Sequence, residues 1–271
     1  MKKGKGKVNE MKKFTTLCLI ALLALTALVA GCGGGGEKKD AKADPKTEKV
    51  LRIGTNADFA PFEFQDVNGK EYQGFDMDLI RAVAKEMGCK ADIQNINFDG
   101  LIPALEAGNL DVIISGMTIN DERKKKVDFS DPYYKSGLSI IVKKDDKSIN
   151  KFADLKGKKV AVQIGTTSAM EVKKIDGAEV KEFNSSADTF LELKAGGVDA
   201  VVNDRPVNDY YILKSGVADV RRLEELLTSE DYGIASSKKK PEMKKQIDAA
   251  LKKLHDNGEY DKIFKKWFGN A

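Results

Sequence analysis

The 271-residue chain is 41% apolar and 32% charged, with 46 Lys and Arg against 42 Asp and Glu, a formal charge of +4. That balance suits a folded protein and excludes a disordered chain, while one histidine and three cysteines exclude a His- or Cys-rich metal framework. Six lysines and one glutamate lie in residues 1–31; without them the charge moves from +4 to −1, so nucleic-acid binding is not expected.

Met11-Lys12-Lys13 precedes an uncharged run from Phe14 to Ala30. A basic start, an apolar stretch and small residues before a cleavage point make a secretory signal over 1–31. The alternative is an uncleaved anchor, since about 17 apolar residues reach the lower limit for spanning a bilayer. A span alone gives no reason for Ala30-Gly31-Cys32 at its end. That ending resembles the lipobox of bacterial lipoproteins, which implies acylation of Cys32 and a lipid anchor on the outer face of the cell membrane. Met11 is a more ordinary start than Met1. Residues 32–49 hold Gly33 to Gly36 and then a charged stretch, which cannot bury apolar surface and reads as a flexible tether. Cys18 leaves with the signal, so Cys89 stands alone, an inert half-buried thiol at the end of a helix.

A strand over 50–54 opens the fold, and Asn68-Gly69 marks a hairpin turn. Leu79, Ile80, Val83 and Met87 fall on one face of a helix over 76–87, which Gly88 ends. A short helix over 98–107, with Pro103 near its start, leads to the apolar strand 110–114. A second alternating set occupies 138–227. The chain returns through Asp231-Tyr232-Gly233-Ile234-Ala235 to closing helices over 241–257 and 259–268. Residues 105–115 overlay 193–203, each a helix end, a glycine stop, an aspartate and an apolar strand. Arg52-Ile53-Gly54-Thr55-Asn56 overlays Val162-Gln163-Ile164-Gly165-Thr166-Thr167 as strand, glycine and hydroxyl residue. The repeat implies an α/β fold of two lobes, 50–132 with 233–271 and 138–227, each with a mainly parallel sheet. A two-strand hinge at 133–137 and 228–232 joins them. Ligands of such sheets gather beyond the carboxyl ends of the strands, so both lobes face one cleft.

The stretch from Ser115 to Tyr134 carries the most functional information. After the strand, freed N–H groups, the Ser115 and Thr118 hydroxyls and the two-pronged Arg123 make a compact receptor for a carboxylate. The alternative for Arg123, beside Lys124, Lys125 and Lys126, is a solvated helix face. Thr167 and Ser168 begin a second helix, whose end favours an anion. Asp204 follows an apolar strand and serves either as a counter-charge or as a helix cap. Phe59 and Phe98 are pocket walls or plain core.

Pro61-Phe62-Glu63-Phe64, Gly74-Phe75-Asp76-Met77-Asp78-Leu79, Asp121-Glu122-Arg123, Asp128-Phe129-Ser130 and Lys265-Lys266-Trp267-Phe268-Gly269 resemble the extracytoplasmic amino-acid-binding proteins that serve ABC importers. The resemblance spans about 52–269. It implies a periplasmic-binding-protein-like clamp, monomeric and without cofactor or metal. The clamp captures a free L-amino acid of the glutamine, arginine, lysine or histidine class and hands it to an ABC permease. On that resemblance Arg123, Thr118, Thr167 and Ser168 take the α-carboxylate. Asp204 and a carbonyl of Ser115 or Gly116 take the α-ammonium, and Phe59 and Phe98 close on the aliphatic part. Asn56, Gln163 and Asn203 face the side chain. Glutamine-binding relatives tend to carry Asp, Lys and His at those three positions, and binders of basic amino acids an acid at the first. The uncharged trio fits a polar side chain, with Asp58, Glu63 or Asp99 as further sources of negative charge. Two alternatives keep the scaffold: a cyclohexadienyl-dehydratase-like enzyme, and an amino-acid sensor or adhesin. The sole histidine, His255, lies in a charged terminal helix, so no Ser–His or Cys–His pair reaches the cleft and a binder rather than an enzyme is expected.

Overall fold

A computed structural model describes residues 49–66, 68–214 and 218–269. The expected signal, the lipidation candidate Cys32 and nearly all of the tether lie outside the described residues. In chain order the first part runs β1 (Lys49–Thr55), β2 (Asp58–Phe59), β3 (Glu63–Gln65), β4 (Tyr72–Gln73), α1 (Phe75–Glu86), β5 (Cys89–Asn95), α2 (Phe98–Glu106), β6 (Val112–Ile113), α3 (Asp121–Lys124) and β7 (Val127–Phe129). The middle part runs β8 (Tyr134–Ser136), β9 (Leu138–Lys143), β10 (Lys159–Gln163), α4 (Thr167–Val172), β11 (Glu179–Phe183), α5 (Ser186–Ala195), β12 (Ala200–Asp204), α6 (Arg205–Lys214) and β13 (Val220–Arg222). The chain returns through β14 (Glu230–Tyr232), β15 (Ala235–Ser237), α7 (Pro241–Asp256) and α8 (Glu259–Phe268).

Two five-stranded sheets carry the lobes, ordered β5-β1-β6-β15-β7 and β11-β10-β12-β9-β13. The sheets are mixed, which qualifies the expectation of mainly parallel ones. β15 runs antiparallel to β6 and β7, and β9 antiparallel to β12 and β13. The reason lies in the connection. Each reversed strand directly follows a hinge strand, so it enters its lobe from the cleft edge, where the parallel strands end. Both sheets are buried on two faces, as parallel strands require. Val160, Val162, Ala200 and Val202 pack on one side of the second sheet, with Val172 of α4. Ala161 and Val201 pack on the other, with Phe190 and Leu193 of α5. The first sheet is covered by α1, α7 and α8 on one face and by Leu101 and Leu105 of α2 on the other. α1 forms because Leu79, Ile80 and Val83 share its inner face; all three are fully buried, worth about 1.5–3 kcal/mol each.

The internal repeat is written in hydrogen bonds. Asp111 and Asp199 each open a strand and accept the N–H of the equivalent residue of the neighbouring strand, Arg52 at 3.1 Å and Lys159 at 2.7 Å. Register corrects the second overlay. Ile53 pairs with Val112 and Val160 with Ala200, so Asn56 is the counterpart of Gln163, and Gly54 of Ala161 rather than Gly165. Smaller differences concern Cys89, which opens β5 instead of ending a helix, and Pro103, which sits inside α2. β8 and β14 pair antiparallel from Ser136 opposite Glu230 to Tyr134 opposite Tyr232, forming the link between the lobes. No described helix is long and apolar enough to cross a membrane.

The turn before α1 leaves no room for a side chain. Gly74 has φ 131°, and a Cβ there would lie 2.0 Å from the Phe62 carbonyl oxygen, which accepts the Asp76 N–H. Gly74→Ala should cost about 3 kcal/mol through backbone strain and overlap. A denaturant midpoint that falls while the slope stays constant is the expected reading.

Candidate functional site

The two sheets end at one cleft, and the residues that finish their central strands face each other across it. Gln163 Nε2 donates to Asn56 Oδ1 at 2.6 Å, Ser186 N–H to Asp58 Oδ2 at 3.1 Å, and Arg123 Nη2 to the Gly165 carbonyl at 3.1 Å. The lobes therefore meet directly. Between them lies a narrow cavity, with free room of about 10 Å3 as the lobes stand. Asn56, Phe59, Phe98, Ser115, Gly116, Thr118, Arg123, Gln163, Thr167 and Asp204 line it, together with Glu63 and Thr166. Two residues of the sequence-derived set are not brought there. Asn203 donates to Ser186 Oγ at 2.7 Å, and Ser168 is buried in α4. Of the further acids, Glu63 lines the cavity and Asp58 and Asp99 do not.

Arg123 is the centre of the site. Asn120 caps α3 by accepting the Arg123 N–H at 2.8 Å, which fixes where the side chain leaves the helix. Arg123 as a residue is only 5% exposed, unlike a solvated lysine-rich face. Its guanidinium donates to the Thr118 carbonyl at 2.7 Å and lies 5.2 Å from the centre of the Phe98 ring. Burial brings its pKa down to about 10, against the pull of Glu230, Asp204 and Glu122. Two of its five N–H donors meet backbone carbonyls, and it joins no ion pair among the described residues.

Asp204 stands in the same cavity at the end of β12. Its Oδ1 accepts the Ser136 hydroxyl at 2.7 Å, and Ser136 in turn accepts the Tyr232 hydroxyl at 3.1 Å. Burial first, then the charge of Glu230, pushes the Asp204 pKa up to about 7, while Tyr232, Ser136 and Arg123 work the other way. Asp58, just outside the cavity, is pushed up to about 6, again chiefly by burial.

Glu230 is the participant that sequence reasoning missed. Its Oε2 accepts the hydroxyls of Thr118 at 2.5 Å and Thr167 at 3.0 Å, and its Oε1 that of Thr228 at 3.0 Å. The Ser115 hydroxyl likewise donates to Glu63 at 2.9 Å. The hydroxyls expected to point at a ligand carboxylate thus donate to buried protein carboxylates. Acids are the stronger acceptors in a dry site, and they take the nearest O–H donors. The one available signal was the place of Glu230 beside Asp231-Tyr232-Gly233, where an acid enters a hinge.

Residues 51–270 match the description of bacterial extracellular solute-binding proteins, family 3. The ABC transporter glutamine-binding protein GlnH of Bacillus subtilis is 37% identical over 274 residues, covering 95% of this chain and 97% of that protein. The solved structure of an ancestral arginine-binding protein bound to arginine is 48% identical with a TM-score of 0.79, over 82% of this chain and 99% of the other. That of an ancestral amino-acid-binding protein, a precursor of cyclohexadienyl dehydratase, is 46% identical with a TM-score of 0.75, over 81% and 96%. With a lobe pair, a hinge and a match along nearly the whole described fold, this chain belongs to the bacterial extracellular solute-binding proteins, family 3.

Proposed function

We propose that the cavity holds one free L-amino acid with a polar or basic side chain, and that the protein delivers it to an ABC permease. The carrying observation is Arg123, a buried guanidinium with unspent donors and no carboxylate partner among the described residues, in the same small cavity as a buried Asp204. An α-carboxylate completes the first and an α-ammonium the second; each charge is costly to leave alone away from water. Arg123 is the sole cation among the lining residues. Once it is spent on the α-carboxylate, an acidic side chain finds no partner. Asn56 and Gln163 offer amides, whose oxygens can also accept from a basic group, to a polar or basic side chain. Relatives named for glutamine and arginine agree with that range.

A dehydratase reading has one observation in its favour, a cleft acid with a raised pKa, as general acid catalysis requires. Against it, the Asp204 carboxyl is engaged by Ser136. We therefore read the protein as a binder; turnover of a cyclohexadienyl acid would reverse that. Attachment through an acylated Cys32 and action as a monomer complete the proposal. Cys32→Ser should release the protein from membranes into the medium.

Calorimetry against the twenty amino acids is the direct test. A polar or basic member should bind, and Arg123→Ala should weaken it at least about thirtyfold, as expected when one partner of a buried charge pair is lost. The Asp204 carboxyl gives a pH signature. Its raised pKa means that the native empty protein holds a proton the unfolded chain has released. Stability from this group therefore falls as pH climbs from the ordinary aspartate range to about 7, while affinity for an ammonium rises over the same window. Asp204→Asn should raise the melting temperature of the empty protein near pH 8 and weaken amino-acid binding. A variant that binds as tightly as the wild type would remove Asp204 from the site.

A further inference from the structure

Beneath the cavity lies a pair of acids that amino-acid capture does not account for. Glu63 and Asp76 are both 0% exposed. Glu63 Oε1 accepts the Ser115 hydroxyl at 2.9 Å. Asp76 Oδ2 accepts the Gly116 N–H and the Tyr133 hydroxyl, each at 2.8 Å. The remaining oxygens, Glu63 Oε2 and Asp76 Oδ1, are buried and find no donor among the described residues, and the two carboxyl groups contact each other. Phe62 and Phe75, both fully buried, belong to the surrounding core. Two carboxylates in contact in such a place cannot both be charged, and a buried oxygen without a donor is costly. One proton answers both difficulties.

We propose that Glu63 and Asp76 hold a single proton between Glu63 Oε2 and Asp76 Oδ1, and that this singly charged pair positions the Ser115–Gly116 loop against the hinge residue Tyr133. The pair then spends each of its oxygens: one on Ser115, one on Gly116 and Tyr133, and two on the shared proton. Ser115 Oγ in turn accepts the Asn56 N–H at 3.0 Å, so the pair reaches the cavity wall on both sides. Asp58, Tyr133, Tyr134 and Tyr260 are the titratable groups that act on it or feel it. The strongest influences on either carboxyl are burial, the other carboxyl, Ser115, Gly116 and Tyr133, none of them cationic. Burial and the second acid accordingly hold Glu63 well above the usual carboxylate range. Its consequence for binding rests on the amino-acid reading of the cavity; the proton itself does not.

The test uses the ligand-free full chain and infrared spectroscopy near pH 8, where Asp58 and Asp204, at about 6 and about 7, are largely ionised. The wild type should show a carboxylic-acid carbonyl band that Glu63→Gln abolishes, the new amide N–H replacing the proton toward Asp76. The folding equilibrium constant of the wild type should fall by up to about tenfold per pH unit above neutrality, as one native-state proton requires, and the variant should lose that slope. Absence of the band from the wild type, or its persistence in a folded Glu63→Gln protein, overturns the proposal. Should the variant not fold, carbon-13 glutamate in the wild type must shift the band, and a band that stays in place overturns it equally. A protein that shows the band yet binds no amino acid refutes the reading of the cavity and leaves the proton pair standing.

Discussion

Everything in the cleft is arranged around one buried guanidinium. Arg123 cannot be stripped of water without replacement partners, and the fold supplies two backbone carbonyls, one from each lobe: Thr118 of the first and Gly165 of the second. Neutral carbonyls hold the charge without cancelling it. A carboxylate in their place would have neutralised the site and left a ligand nothing to gain. The ring of Phe98 covers the guanidinium in the same spirit, excluding water without supplying an anion.

Negative charge in the cleft is handled by distance and by hydrogen bonds. Glu230 enters from a hinge strand and is held by three hydroxyls, Thr118, Thr167 and Thr228, which belong to the first lobe, the second lobe and the approach to the hinge. Asp204 connects through Ser136 to Tyr232, and Asp76 to Tyr133. The carboxylates of the site are thus tied to the β8 and β14 segments that link the lobes. Any rotation between the lobes would move these acceptors around the cavity, because they hang from the linking strands.

Much of this was present in local sequence. The spacing of Leu79, Ile80 and Val83 specified α1, and the doubled Gly–Asp–apolar pattern specified two equivalent strands, because both are contiguous and repeat at the period of their element. Arg123 stood out because the strand, the small residues and the short capped helix that present it are consecutive. The register of the second overlay was misjudged because a Gly–Thr pair occurs in both segments at different distances from the strand end. Pairing across the sheet, not composition, aligns Asn56 with Gln163.

The sequence by itself determined an alternating α/β chain of two similar halves, with a turn bearing hydroxyls and an arginine after one strand. These are properties of neighbouring residues. The tertiary structure alone decided which acids the site contains and what they touch. Thr118 and Glu230 are 112 residues apart, Gly116 and Asp76 are 40 apart, and Asn56 and Gln163 are 107 apart. No local periodicity records such pairs. They exist because closing two sheets against one cleft removes water from every polar group at the junction, and each must then find its partner wherever the fold has brought one.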